Sequence, residues 1–352
     1  MVHRPVLTEQ EIRLLLVENY GIGPVSDITL LRGGSAECYD VRAAQGRFVL
    51  KHFQPKYSVA DVKLEPLVTT HVADHGIPTA SFIATLTGAY VWQSRGRAVH
   101  LRRFVEGRIF PQNGAPDWLL QQSSALLGRL HAVMRSFPEM KKGFPDPWFA
   151  WDPAGKQDQY EQLITLAEVL PASTEREKIL RDLRYKKELM KPEKHPAIDP
   201  SKLTFANSHG DYHIMQLICS GEAVAAVIDF SSACQLPLMW EVIRSYSLAD
   251  PACTNDLNVD RLTGYVRQYL KAGGQLSEYD LRMMPYLYHL QLARSQYGYQ
   301  EYLSGGEEGF FHSGAPDRLG DLLRFGFWRT DMCRWLEVHA DDVSHALRGV
   351  GV

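Results

Sequence analysis

One stretch near the middle of the chain constrains the fold most. Two short apolar runs, Leu217–Cys219 and Ala223–Ile228, flank a turn at Gly221. Such runs around a glycine turn predict a β-hairpin, so we expect Asp211, before the hairpin, and Asp229, at its end, to lie close together. Two neighbouring carboxylates repel each other unless a cation or a proton lies between them. A divalent metal carrying phosphates would satisfy both, with Asp229 as a ligand and Asp211 beside a reacting hydroxyl.

The residues on either side of this hairpin resemble the catalytic loop and the metal-binding motif of the aminoglycoside phosphotransferase family. They are His209-Gly210-Asp211-Tyr212-His213 before the hairpin and Asp229-Phe230 after it. That family includes antibiotic kinases, choline and homoserine kinases and spore-coat kinase-like proteins. The resemblance implies an α+β, two-lobed, protein-kinase-like fold with a small antiparallel-sheet lobe and a larger, mainly helical lobe.

The resemblance also implies a reaction, the transfer of a γ-phosphate from ATP or GTP to a hydroxyl of a small molecule such as an antibiotic or an amino alcohol. Asp211 would accept the hydroxyl proton, Asp229 would bind Mg²⁺, and His209 would hold the loop. The family has a second metal-binding Asn where this chain has Gln216. The extra methylene matters because Mg²⁺ demands near-ideal octahedral geometry. Gln216 is therefore an expected but altered metal ligand.

A lysine in the first third of the chain is the second informative feature. Lys51 shares strand parity with Val49 and Phe53, so its stem should lie on an apolar face, where a lysine needs a partner. Glu65, in a helix-like stretch, is the candidate partner. In the family the equivalent lysine contacts nucleotide phosphates, and the glutamate fixes it. A surface ion pair, which would stabilise the chain little, is the alternative.

Two further segments resemble parts of the family's nucleotide site. The sequence Gly33-Gly34-Ser35 lies between strand-like runs and matches a shortened phosphate loop, although a hairpin turn is the commoner explanation of a glycine pair. Phe104 and Glu106 lie in a segment that resembles the hinge whose backbone faces adenine. We therefore expect a nucleotide-binding domain over residues 1–104 and a catalytic, acceptor-binding domain over residues 105–352.

Helical patterns dominate the second part of the chain. A charged segment at about 138–200 predicts a helical insertion, either a solvated helix pair or a wall over the acceptor site. His131 near the end of one predicted helix is expected to pack rather than to catalyse. Glu241 stands where the family usually has Asp, so its supporting contact should be present but altered. One long helix is expected from Tyr279 to Tyr302.

Composition excludes several other classes of protein. The chain has 352 residues, 45% hydrophobic and 22% charged, with a net charge of -3, which argues against a nucleic-acid partner. No run approaches the length of a membrane span, and the beginning of the chain has no apolar signal core. The five scattered cysteines suit a reducing cytoplasm. We expect a cytoplasmic monomer or homodimer.

Two rival functions stay open at this level. His209, Asp211 and His213 alternate as metal ligands would on a strand, which is compatible with a metal-dependent hydrolase. The altered Gln216 is compatible with a catalytically silent, kinase-like binding protein. The acceptor is equally open. Four acidic residues could attract a cationic antibiotic, and they are Glu301, Glu307, Glu308 and Asp317.

Overall fold

The structure, a computed structural model, describes residues 7–31, 36–143, 152–305 and 318–350. These residues form two compact units. The first unit contains the chain up to Ile109 together with Gln216–Ala233. The second unit contains the remaining described residues. As limits of functional domains, residues 1–104 and 105–352 stay a prediction.

A six-stranded antiparallel sheet forms the base of the first unit. Its strands are β1 (Val25–Leu31), β2 (Ala36–Ala43), β3 (Gly46–Phe53), β4 (Phe82–Ile83), β5 (Val91–Ser94) and β6 (Arg97–Arg103). The order across the sheet is β1-β2-β3-β6-β4, and β5 also pairs with β6. One face is covered by apolar residues of the first helix. The buried core there includes Ile12, Leu16, Tyr39, Val41, Phe48, Leu50, Val99 and Leu101.

Three helices belong to the same unit. Helix α1 (Glu9–Tyr20) begins with a capping box formed by Thr8 and Glu11 and ends at Gly21, as its sequence predicts. The predicted helix after β3 is present in two pieces, α2 (Val59–Val62) and α3 (Leu64–Asp74). The glutamate expected to face Lys51 lies in the first turn of α3.

The predicted hairpin is present, and its strands are β8 (Leu217–Ser220) and β9 (Ala223–Val227). The sequence prediction placed this hairpin in the larger lobe, but it groups with the first unit. The reason is hydrogen bonding. Cys219 exchanges two backbone hydrogen bonds with Arg108, each 2.8 Å long, and the Val227 N–H donates to the Pro78 carbonyl at 2.8 Å.

Gly107 permits the first of these contacts. Its φ is 154°, and a Cβ at this position would lie 2.5 Å from the carbonyl oxygen of Cys219. Only glycine allows the two backbones to approach so closely. The segment after β6 is therefore bonded directly to the hairpin that ends at Asp229.

The second unit is mainly helical. Its helices are α4 (Asp117–Met134), α5 (Pro153–Glu168), α6 (Thr174–Glu188), α7 (Leu238–Ala249), α8 (Val259–Lys271), α9 (Glu278–Arg294), α10 (Tyr299–Leu303) and α11 (Arg318–Arg348). A short antiparallel pair, β7 (Phe205–Ser208) and β10 (Cys234–Pro237), precedes α7. The predicted α+β class, with one sheet-based part and one helical part, is confirmed.

Two predictions about these helices change. Helices α5 and α6, in the predicted insertion, each bury one face: Tyr160 of α5 is fully buried and donates to the carbonyl of Ala293 at 2.6 Å, and Ile179 and Leu183 of α6 are fully buried. The long helix predicted from Tyr279 to Tyr302 is interrupted, since α9 ends at Arg294 and Gly298 adopts a φ of 99° before α10. None of the helices in the described part of the chain is long and apolar enough to cross a membrane.

Candidate active site

A buried lysine and two carboxylates form the centre of the first unit. The Nζ of Lys51 lies 2.6 Å from Asp229 Oδ1 and 3.5 Å from Glu65 Oε2. The Lys51 side chain is only 4% exposed, which excludes the weak surface pair considered above. The structure therefore brings Lys51 together with Glu65 and with Asp229, which lies 178 positions later in the chain.

Strand geometry explains why the lysine points to this place. On β3, Val49, Lys51 and Phe53 alternate with residues of the opposite face, and all three are buried. Lys51 pairs across the sheet with His100 of β6. The ring of His100 lies with its Nε2 3.0 Å from Glu65 Oε2, so Glu65 is held from two sides.

Electrostatics keep the central pair charged. Burial disfavours the charge on Lys51, but Glu65 and Asp229 outweigh it and hold the pKa of Lys51 above its ordinary value. Burial also disfavours ionised Asp229, but Lys51 and the hydroxyl of Ser231 outweigh it and hold the pKa of Asp229 below its ordinary value. Burial lowers the pKa of His100, and the nearby Glu65 opposes that fall.

Asp229 sits in an unusual backbone conformation. Its φ of 66° and ψ of 57° lie in the left-handed region, just after β9. Asp tolerates this region better than most residues, and non-glycine residues held there cluster at functional sites. The contacts with Lys51 and Ser231 both involve Oδ1 of Asp229. The side chain is 31% exposed, so its carboxylate is within reach of a ligand.

Of the other predicted metal and phosphate ligands, Gln216 lies among the described residues. The backbone carbonyl of Gln216 accepts from the Ile228 N–H at 3.0 Å, which places Gln216 beside the residue before Asp229. Gly33, Gly34 and Ser35 lie outside the described residues. Their predicted phosphate-binding role stays a prediction.

The predicted hinge begins where β6 ends. The Phe104 N–H donates to the carbonyl of Arg47 at 3.0 Å, and the Arg47 guanidinium lies 3.4 Å from the Phe104 ring centre. Arg47 also forms an ion pair with Glu106 at 2.6 Å. The Glu106 carboxylate thus pairs with Arg47, and the predicted roles of Phe104 and Glu106 toward a nucleotide stay predictions.

Asp211 belongs to the second unit, where it has a cationic partner that sequence reasoning missed. Nη2 of Arg244 donates to Asp211 Oδ1 at 2.7 Å, and His213 Nε2 lies 3.4 Å from Oδ2. Burial disfavours ionised Asp211, but Arg244 and His213 outweigh it and hold its pKa below the ordinary value. The predicted approach of Asp211 to Asp229 stays a prediction, because the two residues belong to different units.

A buried network supports the loop that carries Asp211. Glu241 Oε1 accepts from the Tyr212 N–H at 3.1 Å, and its Oε2 accepts from Ser208 and lies 2.9 Å from His131 Nε2. The other ring nitrogen of His131 lies 2.8 Å from the Tyr269 hydroxyl. Through these contacts Glu241 supports the loop that carries Asp211, and His131 has a structural role. Burial opposes ionisation of Glu241, but His131 lowers its pKa to about 2.

The structure also bears on the hydrolase alternative. Across the described ranges, His, Cys, Asp and Glu side chains form no group of three or more able to hold a metal ion. The His209 ring instead accepts from the Asp211 N–H at 3.3 Å and contacts the Tyr212 ring edge-on. His209 thus holds the loop from inside, as the resemblance implies.

Two site residues that we did not select had a visible signal in the sequence. Arg244 is the one charged residue in the uncharged stretch Val242–Leu248, within a helix whose other residues are all buried. His100 likewise interrupts the apolar part of β6. A charged or polar residue inside such a run needs a partner, but the sequence alone does not say which one.

Solved structures of known proteins share this fold. An aminoglycoside phosphotransferase from Alicyclobacillus acidocaldarius subsp. acidocaldarius superposes with a TM-score of 0.60 at 15% identity, covering 97% of this chain and 98% of that one. An amicoumacin kinase in complex with AMP-PNP and Ca²⁺ superposes with a TM-score of 0.57 at 15% identity, covering 96% and 94%. The predicted kinase-like fold is thereby confirmed.

Known sequences also resemble this chain. A homoserine kinase from Methylobacillus flagellatus is 24% identical over 260 residues, which are 73% of this chain and 72% of that protein. The pattern that defines the phosphotransferase enzyme family matches residues 27–286. The chain therefore belongs to the phosphotransferase enzyme family, and it is a small-molecule kinase.

Proposed function

We propose that this kinase transfers the γ-phosphate of ATP to a hydroxyl group of a small molecule, with Mg²⁺ as the cofactor. The observation that carries the proposal is the buried Lys51–Glu65–Asp229 cluster. A lysine held rigidly between two carboxylates presents a fixed positive charge, which suits nucleotide phosphates. Support also comes from the amicoumacin kinase, whose structure holds AMP-PNP.

The residues present fit Mg²⁺, which needs few protein ligands, better than they fit a metal ion whose ligands all come from the protein. Mg²⁺ usually takes one or two carboxylates, with phosphates and waters completing its octahedron. Asp229 offers a hard, ionised oxygen ligand, and Gln216 lies nearby along the hairpin with an amide oxygen. When bound, the ion would neutralise charge on the phosphate oxygens.

Each residue of the chain then has a defined task. Asp211 accepts the proton of the acceptor hydroxyl as its oxygen bonds to the γ-phosphorus. The bond from that phosphorus to the β–γ bridging oxygen breaks, and ADP leaves with the electron pair. Lys51 balances phosphate charge and Glu65 holds Lys51 in position, while Gly33, Gly34, Ser35 and the backbone around Phe104 complete the nucleotide site.

Asp211 is suited to this task as an ionised group. Its lowered pKa keeps it deprotonated at neutral pH, so it is ready to accept a hydrogen bond from a hydroxyl. It is a weak base, which suits a reaction whose catalysis depends mainly on positioning and charge stabilisation.

The test is calorimetric titration with ATP and with GTP, each in the presence and absence of Mg²⁺, followed by an assay of ADP release over a panel of hydroxylated compounds. We expect metal-dependent ATP binding and acceptor-dependent ADP release. Metal-dependent binding without release on any hydroxylated compound would favour the silent binding protein, and absence of nucleotide binding would refute the proposal.

A further inference from the structure

Arg244 does more than neutralise Asp211. Its Nη2 is used by that carboxylate, but its Nη1 is buried and has no hydrogen-bond partner among the described residues. The guanidinium lies 5.2 Å from the centre of the Trp240 ring, and 18% of the side chain is exposed. Because the guanidinium is a planar fork of five donors, a second acceptor can use the idle side.

A second arginine in the same unit lacks an anionic partner within the described ranges. Arg329, on α11, is only 9% exposed, and its Nε is buried without a hydrogen bond there. Burial and the nearby charge of Arg244 lower the pKa of Arg329, and no carboxylate forms an ion pair with it among the residues that the structure describes. Buried charges in proteins are nearly always paired, so this arginine calls for a counter-ion.

Tyr288 links the two arginines. It lies on α9, which packs against both α7, with Arg244, and α11, with Arg329. Its hydroxyl is bonded to Ser247 at 2.6 Å. Burial raises the pKa of Tyr288, and the Ser247 hydrogen bond and the charges of Arg329 and Arg244 all oppose that rise. Both positive charges are therefore felt at one buried hydroxyl.

We infer that Arg244 and Arg329 bind an oxyanionic group, a carboxylate or a phosphate ester, of the acceptor whose hydroxyl faces Asp211. Arg244 is balanced by Asp211, but no carboxylate balances Arg329 among the described residues, so the two guanidinium groups leave an unbalanced positive charge that an anion would bind. The inference rests on the proposed transfer to a small-molecule hydroxyl, and it adds the chemical class of the acceptor.

The opposite expectation, a cationic antibiotic drawn by acidic residues, has less support. Of the four acidic residues considered, Glu301 accepts from the Gly298 N–H at 2.5 Å and so caps its own helix. Glu307, Glu308 and Asp317 lie outside the described residues. The charges that act most strongly on Asp211 within the described ranges are those of Arg244 and of histidines.

Matched acceptors test the inference directly. Homoserine and 3-aminopropan-1-ol share a skeleton and differ by one carboxylate; glycerol 3-phosphate and glycerol differ by one phosphate. We expect kcat/KM for ADP release to favour the charged member by roughly 10- to 100-fold, mainly through KM, as a charge-assisted hydrogen bond would give. The preferred pair identifies carboxylate or phosphate. Equal or better turnover of the uncharged member in both pairs would overturn the inference.

Variants on α11 separate binding from folding. Arg329→Gln should weaken the binding of 2-aminobutyrate or inorganic phosphate, measured by calorimetry with nucleotide and Mg²⁺ present, by roughly 10- to 100-fold. Arg329→Lys should retain part of that affinity, because it keeps the charge but loses the fork. Arg324→Gln is the matched control, since Arg324 is on the same helix, 60% exposed and paired with Asp321.

The outcomes distinguish this inference from the proposed function. Unchanged oxyanion affinity in Arg329→Lys and Arg329→Gln, or no oxyanion binding to the wild type, would overturn the inference even if phosphate transfer to uncharged acceptors is found. Arginine-dependent oxyanion binding without any phosphate transfer would keep the anion site and refute the proposed reaction. If Arg329→Gln does not fold, Arg329→Lys and the wild-type titrations decide.

Discussion

The two units each contain an aspartate beside a cation, and the two pairs differ in how they are built. Asp229, which follows the β8–β9 hairpin, forms an ion pair with Lys51 on β3 of the same unit, and the lysine is nearly inaccessible to solvent. Arg244, the partner of Asp211, is 18% exposed and has a donor that no described residue uses. We call the Lys51–Asp229 pair saturated, because its lysine is enclosed by carboxylates, and the Arg244–Asp211 pair unsaturated, because its arginine has an unused donor. A saturated pair suits a fixed charge toward a nucleotide, whereas an unsaturated pair suits the binding of an acceptor.

The largest expected effect concerns the saturated pair. Asp229→Asn keeps the side-chain shape and tolerates the left-handed backbone, but it removes the charge. Metal-dependent nucleotide binding should disappear in calorimetry, and turnover should fall by about 10³-fold or more, because a bound metal supplies several kcal/mol of charge stabilisation. Ser231→Ala, which removes only one hydrogen bond to the same carboxylate, is the control and should have a minor effect.

Lys51→Ala sharpens the same contrast. Nucleotide affinity should weaken less than in the Asp229 variant, because the lysine is one of several phosphate contacts. Calorimetric titration with nucleotide and Mg²⁺ compares the two variants. Unchanged metal dependence in the Asp229 variant together with lost affinity in the Lys51 variant would reverse the roles that we assign within this pair.

The next effect concerns the unsaturated pair. Asp211→Asn should lower kcat by about 10²–10⁴-fold, the contribution of a positioned general base, and should leave nucleotide affinity near that of the wild type. Steady-state kinetics with an acceptor, combined with nucleotide titration, measures both quantities. A parallel loss of nucleotide affinity would show that the two aspartates do not divide the work as proposed.

Glu241 tests the support beneath Asp211. Its pKa of about 2 lies below the ordinary value of 4.5, so its stabilising effect is complete above about pH 4.5 and is lost as pH falls toward 2. Glu241→Gln should lower the free energy of unfolding at pH 7 by about 3 kcal/mol and flatten its dependence on pH in that window. Urea unfolding at several pH values measures this, and parallel curves for both proteins would contradict it.

Substitution of Arg244 should have a smaller effect on kcat at saturating acceptor, and it should change the pH dependence of kcat in a defined direction. Burial raises the pKa of Asp211 and the charge of Arg244 lowers it, so Arg244→Gln should raise that pKa and move the acid limb of the kcat profile to higher pH. Arg244→Lys, which keeps the charge, should restore most of the wild-type profile. An unshifted acid limb would mean that Asp211 is not the group that titrates during turnover.

Gln216 should give the smallest effect. Asn at this position returns the shorter reach of the amide oxygen that octahedral Mg²⁺ favours, so Gln216→Asn should raise apparent Mg²⁺ affinity a few-fold. Titration of activity or of nucleotide binding with Mg²⁺ would show it. A loss of metal affinity in this variant would indicate that the longer side chain is fitted to its place.

The contrast between the pairs also explains what the sequence could predict. Strand parity and turn chemistry are short-range properties, so the hairpin that ends at Asp229 and the burial of Lys51 could be predicted from the residues themselves, whereas the choice of Glu65 as the partner rested on the family resemblance. The partners of Asp211 and Glu241 depend on how helices far apart in sequence pack, and no local pattern encodes that. An arginine in an apolar helix marks a missing partner, as at Arg244, but only the packed structure names it.

The hairpin bonded beside Gly107 has a consequence for synthesis. The first unit is made of separate chain segments, so its sheet leaves the ribosome long before Gln216–Ala233 does. At roughly 5–20 residues per second, the interval is on the order of ten seconds. During that interval the Pro78 carbonyl and the Arg108 backbone lack their hydrogen-bond partners in the hairpin. Lys51 can pair with Glu65 but not yet with Asp229. The lysine cluster is thus completed only after most of the chain has been translated.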